Sequence, residues 1–426
     1  CASGKMLEEG EKIHAIIARS KYSEELSVMN ALVSMYGKCG SLLHAKEMFD
    51  QIEHPNVVTW NAMISAYAQS GHNKKALDLF KELQKVRIKP DEITFSCVLD
   101  VCASLRDLEE GRKVGKAITG DQYREDIMLG TALVNMYGKC GDFDHAKMIF
   151  DQMPKRDVAL WSAIVTACAS NGRNEEALHL FHQIYINNLL PDPIAYVAAL
   201  NSCSNACRSE DGLRIHTELI FFGYEKELQV GTSLVDMYGK CGFLGSARYV
   251  FLLMGHRDVV TWNAMMAACA QNGHGKEAIS LFYEMEKDLI KPDGITFISL
   301  LSACNHMGMV EEGKRLFASM NMDYGITQCV EHYLYLIDLL GRAGCVEDAQ
   351  ALIDIMPFEK NEKLWQTLVS SCNIHGKLEQ AIEAVTRMFQ VNADKDAPYI
   401  LLSNLYGRGV ESIEPNHIMV DELATH

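Results

Sequence analysis

Apolar side chains recur along the chain at the spacing of amphipathic helices. In the stretch 57–91 they form two runs: Trp60, Ile64, Tyr67 and Ala68, then Ala76, Leu77, Phe80 and Leu83. Apolar residues three or four positions apart predict one buried face on each helix. Gly71 lies between the runs, where a left-handed residue closes a helix, and Pro90 cannot continue the second run. The stretch therefore predicts two antiparallel helices joined by a turn.

This pattern returns at a fixed interval. Trp60, Trp161 and Trp262 are 101 residues apart, and each interval holds two repeats of 35 residues and one of 31. The repeats, the last two slightly irregular in length, occupy 26–56, 57–91, 92–126, 127–157, 158–192, 193–227, 228–258, 259–293, 294–329 and 330–361. A fixed period is typical of a solenoid, in which each repeat buries its apolar faces on its neighbours. We predict an all-α, right-handed α-solenoid (superhelix) of helix-turn-helix repeats, whose first helices line a concave groove.

Both ends of the chain depart from the regular repeats. Residues 1–25 form a partial repeat that begins in its middle with Cys1, so we expect the natural protein to start further upstream. Any targeting segment would lie in that upstream part. Residues 362–395 form a variant repeat, and a last repeat begins at Asp396 and loses the pattern after about Tyr406.

Polar side chains occupy two equivalent positions of successive repeats. The last residue of a repeat is acidic or an amide: Asn56, Asp91, Asp126, Asp157, Asp192, Glu227, Asp258 and Asp293. These residue types cap helices, and capping alone is one interpretation of this position. The fifth residue is Asn30, Asn61, Ser96, Thr131, Ser162, Val197, Thr232 or Asn263. Asn, Ser and Thr are mediocre helix formers, so their recurrence favours a role such as reading base edges over chance exposure.

Two further positions recur in the same way. The second residue is apolar in seven repeats: Val58, Ile93, Met128, Ala159, Ile194, Val260 and Ile295. Such side chains either wedge between bases or pack between repeats. The thirteenth residue of the 31-residue repeats is Lys38, Lys139 or Lys240, which suits either a phosphate contact or a solvated helix end.

No constellation of catalytic or metal-binding residues stands out. The 14 cysteines include no CxxC pair, and the single HxE motif at His216-Thr217-Glu218 has no CxxC after it, so a zinc deaminase site is not supported. There is no Gly-rich phosphate loop and no apolar run long enough to span a membrane. We therefore expect a recognition module without a cofactor or metal, not an enzyme.

Three segments carry a resemblance to a known family: VVTWNAMISAYAQSGHNKKALDLFKELQ, ALVSMYGKCGSLLHAKEMFDQI and EHYLYLIDLLGRAGCVEDAQALIDIMPFEKN. They resemble the pentatricopeptide repeat family, in its plant PLS subclass with alternating long and short repeats. The segments EKLWQTLVSSCNIHGKLEQAIEAV and DAPYILLSNLYG resemble the E-type extension motifs of that subclass. The resemblance implies ten repeats over 26–361, extension motifs over 362–410 with the second one incomplete, and an irregular tail over 411–426.

The resemblance also implies sequence-specific binding of single-stranded RNA, with the fifth and last residues of a repeat choosing one base. The implied pairs are Asn30 with Asn56, Asn61 with Asp91, Thr131 with Asp157, Ser162 with Asp192, Thr232 with Asp258, and Asn263 with Asp293. The second residues named above would flank each base. By the family's pairing rules the RNA site reads 5′-Y-U-N-G-G-N-G-U-3′, with the edited cytidine a few nucleotides further 3′.

Members of this subclass mostly help convert cytidine to uridine in organellar RNA. The resemblance therefore implies a mitochondrial or chloroplast protein, monomeric and not membrane-bound, whose partners are single-stranded RNA and a separate deaminase or other editing factors. The net charge of −16 favours the alternative, a protein–protein interaction scaffold of the tetratricopeptide-like kind, because binding phosphates normally needs a basic surface. Acidic pairs in the second helices, such as Glu175-Glu176, would face away from the groove and leave RNA binding open.

Overall fold

The computed structural model describes residues 2–118, 126–360 and 362–391, and within these residues the regular elements are helices joined by short turns, without a strand. Helix α1 spans Ala2–Ala18. The first helices of the repeats are α2 (Leu26–Lys38), α4 (Val57–Gln69), α6 (Glu92–Leu105), α8 (Ile127–Lys139), α10 (Val158–Ser170), α12 (Pro193–Asn205), α14 (Leu228–Lys240), α16 (Val259–Gln271), α18 (Gly294–Met307), α20 (Val330–Arg342) and α22 (Glu362–Ile374). The predicted all-α class is confirmed.

Each first helix is followed by a second helix, which in the short repeats is the shorter of the two, as in α2 with 13 residues and α3 with 9. The second helices are α3 (Leu42–Asp50), α5 (Asn73–Lys85), α7 (Leu108–Ile118), α9 (Phe143–Gln152), α11 (Asn174–Ile186), α13 (Ser209–Phe222), α15 (Leu244–Leu253), α17 (Gly275–Lys287), α19 (Val310–Met322), α21 (Val346–Ile355) and α23 (Leu378–Val391). A 3₁₀ turn, Tyr224–Lys226, lies between α13 and α14.

The helices form two compact units, Cys1–Ile215 and His216–His426. In the first unit α4 packs on α5, the second helix of its own repeat, and on α2 and α6, the first helices of the neighbouring repeats. In the second unit α16 packs in the same way on α17, α14 and α18. Each repeat therefore completes its core only against its neighbours, as a solenoid requires.

Aromatic pairs fill the contact between consecutive repeats. Trp161, the fourth residue of its repeat, is buried, and its ring meets Phe150 of the preceding second helix edge to face at 4.8 Å. Trp262 meets Phe251 in the same geometry at 4.9 Å. Such edge-to-face pairs add to the hydrophobic gain of burying the rings. The regular spacing of tryptophan in the sequence thus reflects one recurring core contact.

The turn between the two helices of a repeat uses a left-handed residue, as predicted for Gly71, whose φ is +76°. Two repeats break the preference for glycine there. Arg106 and Cys207 occupy this position with φ of +53° and +52°. A side chain in this region costs about 1 kcal/mol, so these two turns are less favourable than their glycine counterparts.

The first helix of a short repeat lies close against the first helix of the next repeat. A Cβ on Gly138, the twelfth residue of repeat 127–157, would lie 2.5 Å from Cβ of Ala167 in the next first helix. The corresponding distance from Gly37 to Ala66 is also 2.5 Å. Only glycine permits this approach of helix backbones, which explains Tyr-Gly-Lys-Cys-Gly at the end of each short repeat's first helix.

The second extension motif and the tail, expected from Asp396 onward, lie outside the described residues. Across residues 2–118, 126–360 and 362–391, no helix has both the length and the apolar character needed to cross a membrane.

Candidate nucleic-acid interface

The second residues of the first helices are exposed apolar side chains. Val58, Ile93, Met128, Ile194, Val260 and Ile295 keep between 46% and 60% of their surface accessible, and Ala159 is also exposed. The alternative interpretation, packing between repeats, would have buried them. An exposed aliphatic side chain in each repeat is unfavourable in water and contributes little to the packing of the helices. This favours contact of these side chains with a ligand.

The last residue of a repeat caps the first helix of the next repeat. Oδ1 of Asp91 accepts a hydrogen bond from the backbone N–H of Thr94 at 2.8 Å, and Asp157, Asp192, Asp258 and Asp293 make the equivalent bond. Asn56 and Asp126 cap their helices through side-chain oxygens as well. Glu227 precedes α14 without such a bond, because its longer side chain departs from the usual capping residues.

The fifth residue reaches the last residue of its own repeat in four of the six expected pairs. The amide Nδ2 of Asn61 donates to Oδ1 of Asp91 at 2.8 Å, and Asn263 donates to Asp293 at 2.9 Å. The hydroxyl of Ser162 donates to Asp192 at 2.7 Å, and Asn30 lies 3.5 Å from Asn56 at the limit of a hydrogen bond. The chain thus brings these side chains together across a separation of about one repeat.

The two threonine pairs are not linked in this way. The hydroxyl of Thr131 donates to the carbonyl of Ile127 in its own helix at 2.8 Å, and Thr232 donates to Leu228 at the same distance. Among the described residues neither threonine is hydrogen-bonded to its expected aspartate, Asp157 or Asp258. The hydroxyl of Thr131 therefore offers its acceptor side to the surface while its proton stays within the helix, whereas Thr232 is also hydrogen-bonded at 2.7 Å to Thr261 of the next repeat.

One carboxylate oxygen of each capping aspartate remains available. The bonds of Asp91, Asp157, Asp192, Asp258 and Asp293 all go to Oδ1, and within the described part of the chain no hydrogen bond reaches their Oδ2. A carboxylate can accept several hydrogen bonds, so capping and ligand recognition do not compete for the same oxygen. The capping role and the base-reading role are compatible.

Hydrogen bonds also hold Asp91 in its ionised form. Partial burial raises the pKa of this carboxyl, but the backbone N–H of Thr94 and the side chains of Asn61 and Thr94 outweigh it. The pKa of Asp91 therefore lies below its ordinary value. At neutral pH the residue presents an acceptor and not a donor to any ligand.

The lysines proposed for phosphate contacts end their helices at the surface. Lys38, Lys139 and Lys240 are exposed at the last residues of α2, α8 and α14. Lys240 forms a 2.9 Å ion pair with Asp236 one turn earlier, and Lys139 interacts electrostatically with Asp100. Basic residues on this surface thus neutralise acidic ones beside them.

The HxE motif has a structural role. Nδ1 of His216 is 2.8 Å from the hydroxyl of Tyr238, and the ring is partly buried against it. Burial lowers the pKa of His216 despite the opposing charge of Glu225. Within residues 2–118, 126–360 and 362–391 there is no group of three or more His, Cys, Asp or Glu side chains placed to hold a metal ion.

The sequence patterns missed one group of residues at this surface. Thr59, Thr94 and Thr296, each the third residue of a repeat, are fully buried and donate to the side-chain carbonyl of Asn30, Asn61 and Asn263. The available signal was that every asparagine at the fifth position is followed by threonine 29 or 33 residues later.

Family models match most of these repeats. The model described as PPR repeat matches residues 27–54, 131–158, 159–187, 232–259, 295–323 and 331–359, and the model described as PPR repeat family matches 55–104 and 257–306. Together the matches cover more than half of the chain. The matched ranges overlap the helical pairs of the structure.

Two curated relatives from Arabidopsis thaliana align with nearly the whole chain. The chloroplastic pentatricopeptide repeat-containing protein At1g11290 is 36% identical over 94% of this chain and 50% of its own length. The mitochondrial pentatricopeptide repeat-containing protein At3g02330 is 34% identical over 95% of this chain and 47% of its own length. The chain thus spans about half the length of these relatives.

Among solved structures, that of the maize pentatricopeptide repeat protein PPR10 in complex with an 18-nt psaJ RNA element is similar. It has a TM-score of 0.71 and 19% identity, over 94% of this chain and 62% of that one. At this identity the similarity concerns the fold, a helical solenoid. With the family models, the helical pairs and the curated relatives in agreement, the chain belongs to the pentatricopeptide repeat family.

Proposed function

We propose that this chain binds single-stranded RNA in a sequence-specific way, one base per repeat. The observation that carries the proposal is a polar pair beside an exposed apolar side chain, repeated along the first helices. In repeat 57–91 these are Asn61, Asp91 and the exposed Val58. The polar pair offers hydrogen bonds to a base edge, and the aliphatic groups of successive repeats cover the two faces of the base.

The negative net charge is compatible with this role because the charges are unevenly distributed. The acidic pairs Glu109-Glu110, Glu175-Glu176 and Glu311-Glu312 lie in the first turns of second helices, not on first helices. On the first helices, Asp236 and Asp338 are paired with Lys240 and Arg342 one turn later. We expect weaker dependence on salt than for a basic RNA-binding protein, because few phosphates are neutralised.

The expected target sequence follows from the pairs in chain order, 5′-Y-U-N-G-G-N-G-U-3′. Within the family, PPR10 has been solved with a bound RNA element, and this chain shares its fold. We further propose that the chain acts as a site-recognition factor for organellar C-to-U editing, with 362–410 as E-type extension and a separate deaminase as partner. The RNA is bound by a single copy of the chain, without a metal or cofactor.

Selection from a random RNA pool tests the binding proposal. The pool bound by the full chain should be enriched in U at the second position, G at the fourth and U at the eighth, and binding should persist in EDTA. Thr131→Ala should remove only the preference for G at the fourth position. Equal binding of duplex RNA, or a selected pool without sequence preference, would instead support a protein-binding scaffold.

The editing proposal needs a separate assay. An RNA carrying the selected site and a cytidine a few nucleotides 3′ should stay unchanged with the purified chain alone. Conversion should require an added cytidine deaminase, because the described residues contain no group that would activate a water through zinc. Conversion by the chain alone would contradict the role of a recognition factor.

A further inference from the structure

Three asparagines share an environment that reaches into the next repeat. Asn30, Asn61 and Asn263, all at the fifth position, are between 5% and 9% exposed. Each accepts a hydrogen bond at its side-chain oxygen from a threonine that is the third residue of the following repeat. The Oγ1 to Oδ1 distances are 2.7 Å for Thr59 to Asn30, 2.6 Å for Thr94 to Asn61 and 2.7 Å for Thr296 to Asn263.

Two partners of opposite character fix the orientation of the amide. Asp91 can only accept, so the Nδ2 side of Asn61 must face its Oδ1 at 2.8 Å. The Oδ1 side then faces the hydroxyl of Thr94, whose single proton is shared between Asn61 at 2.6 Å and Oδ1 of Asp91 at 2.8 Å. Turning the amide by a half rotation would place two acceptor oxygens about 2.8 Å apart. With both ends held, one hydrogen on Nδ2 remains directed away from these partners.

No amide is held in this way in the repeats without asparagine at the fifth position, although the hydroxyl of Thr232 lies 2.7 Å from that of Thr261 in the following repeat. The third residue of the next repeat is Leu129 after Ser96, Leu160 after Thr131, Ala195 after Ser162 and Val230 after Val197. Thr131 bonds the carbonyl of Ile127 in its own helix, and the single hydroxyl proton of Ser162 is shared between the carbonyl of Val158 and Asp192. A buried amide needs a donor for its oxygen, whereas a hydroxyl that bonds its own helix does not.

We propose that the third residue of the following repeat is a positioning residue that sets the base specificity of the preceding repeat. Thr94 holds the amide of Asn61 in the one orientation that presents a donor to the base, and Thr59 and Thr296 do the same for Asn30 and Asn263. The inference rests on the proposed RNA binding. It adds that the base is chosen by three side chains from two repeats.

The loss of this contact is tested by Thr94→Val, which keeps the shape of a side chain that is fully buried. The matched control is Thr261→Val. Thr261 is equally buried, lies near its capping aspartate Asp258, and is hydrogen-bonded at 2.7 Å to the fifth residue of the preceding repeat, but that residue is Thr232, whose hydroxyl also bonds Leu228 and has no amide orientation to be fixed. Both variants should lose similar stability, and only Thr94→Val removes the donor for an amide.

Selection from a random RNA pool then separates the outcomes. For Thr94→Val the preference for U over C at the second position should fall from about tenfold to less than about twofold, the scale of one base-edge contact. In Thr94→Val the preferences for G at the fourth position and for U at the eighth position should persist. In Thr261→Val the preference for G at the seventh position should persist. Thr94→Ser keeps the hydroxyl and should therefore keep the preference for U at the second position. An unchanged preference at the second position overturns the inference.

A gain of specificity provides the second test. In repeat 127–157, Thr131→Asn alone places the amide oxygen against Leu160, which cannot donate. The double variant with Thr131→Asn and Leu160→Thr supplies the donor. It changes Val-Ala-Leu-Trp at 158–161 to Val-Ala-Thr-Trp, which resembles the Val-Val-Thr-Trp of repeat 57–91. The double variant should change the fourth position from G to U, and the single variant should lose G without gaining U. A complete change to U by Thr131→Asn alone overturns the inference.

These experiments distinguish the inference from the proposed function. If the unmodified chain selects no base at the second, fourth or eighth position, the proposed RNA readout fails. If it selects these bases and Thr94→Val behaves like Thr261→Val, the readout stands and the positioning role fails. Helical content and urea unfolding of each variant show whether a loss of all preferences is a loss of fold.

Discussion

Repeats 57–91 and 127–157 share one helical plan but hold their fifth residues in different ways. Asn61 is buried and hydrogen-bonded to both Asp91 and Thr94. Thr131 is half-buried and bonds only the carbonyl of Ile127 in its own helix. Both repeats end in an aspartate that caps the next helix through Oδ1. The cap is constant, whereas the attachment of the neighbouring side chain varies.

This difference shows that two kinds of base-reading position coexist in one solenoid. A position of the Thr131 kind is self-contained, because its hydroxyl needs nothing from the next repeat. A position of the Asn61 kind depends on the third residue of the next repeat. Exchange of single residues between repeats should therefore succeed only at positions of the first kind.

The two repeats also differ where their first helices meet the next one. The twelfth residue is Gly138 in the short repeat and the half-buried Ala68 in the long one. A Cβ on Gly138 would lie 2.5 Å from Ala167, closer than real carbon atoms approach. The short repeat thus brings backbones together through a missing side chain, which the long repeat does not require.

The largest expected effect comes from filling this contact. Gly138→Ala should lower the free energy of unfolding by about 2 to 3 kcal/mol, because the helices must separate. Gly245→Ala in α15 is the control, since nothing lies within 4 Å of the added carbon. It should gain up to about 1 kcal/mol from helix propensity. Urea titration measures both, and a gain at Gly138 would show that the close approach is not required.

A smaller effect should come from making the fifth residue apolar. Asn61→Leu removes bonds to a carboxylate and to a buried hydroxyl, and should cost about 1.5 kcal/mol. Thr131→Val removes one bond to a carbonyl that already serves the helix, and should cost about 0.5 kcal/mol or less. Equal losses in urea titrations would contradict the distinction between linked and self-contained positions.

The repeat that separates these two offers a stabilising change. Arg106 occupies the left-handed turn position where Gly71 and Gly141 serve in the compared repeats. Arg106→Gly should gain about 0.5 to 1 kcal/mol by removing the steric cost of a side chain at φ of +53°. Gly71→Ala should lose a similar amount. Thermal unfolding measures both variants, and a loss on Arg106→Gly would mean that its side chain is needed.

The smallest effect concerns acid sensitivity. The pKa of Asp91 is lower in the folded chain than its ordinary value, so ionised Asp91 stabilises the fold above that ordinary value. This stabilisation is lost as pH falls through the lowered pKa. The stability difference between the natural chain and Asp91→Asn should shrink from about pH 6 to about pH 2. A constant difference in urea titrations over this range would show that the charge of Asp91 contributes nothing.

The sequence alone was enough to predict the helical pairs and the family. The period of tryptophan and of Tyr-Gly-Lys-Cys-Gly located the first helices, which begin at the first residue of each repeat. The acidic last residues predicted the caps found at Asp91 and Asp157. These features are local, since a helix and its cap depend on neighbours within a few positions. The base-reading roles of the same residues stay a prediction.

Only the tertiary structure decided how side chains from different repeats combine. Thr94 and Asn61 are 33 residues apart, and nothing local to either residue predicts their 2.6 Å contact. The exposure of Val58 likewise could not be read from the apolar pattern. The sequence determined which residues recur because repetition is a property of the chain. The structure decided which of them meet, because stacked repeats bury their helix faces against each other and so bring residues about one repeat apart into contact.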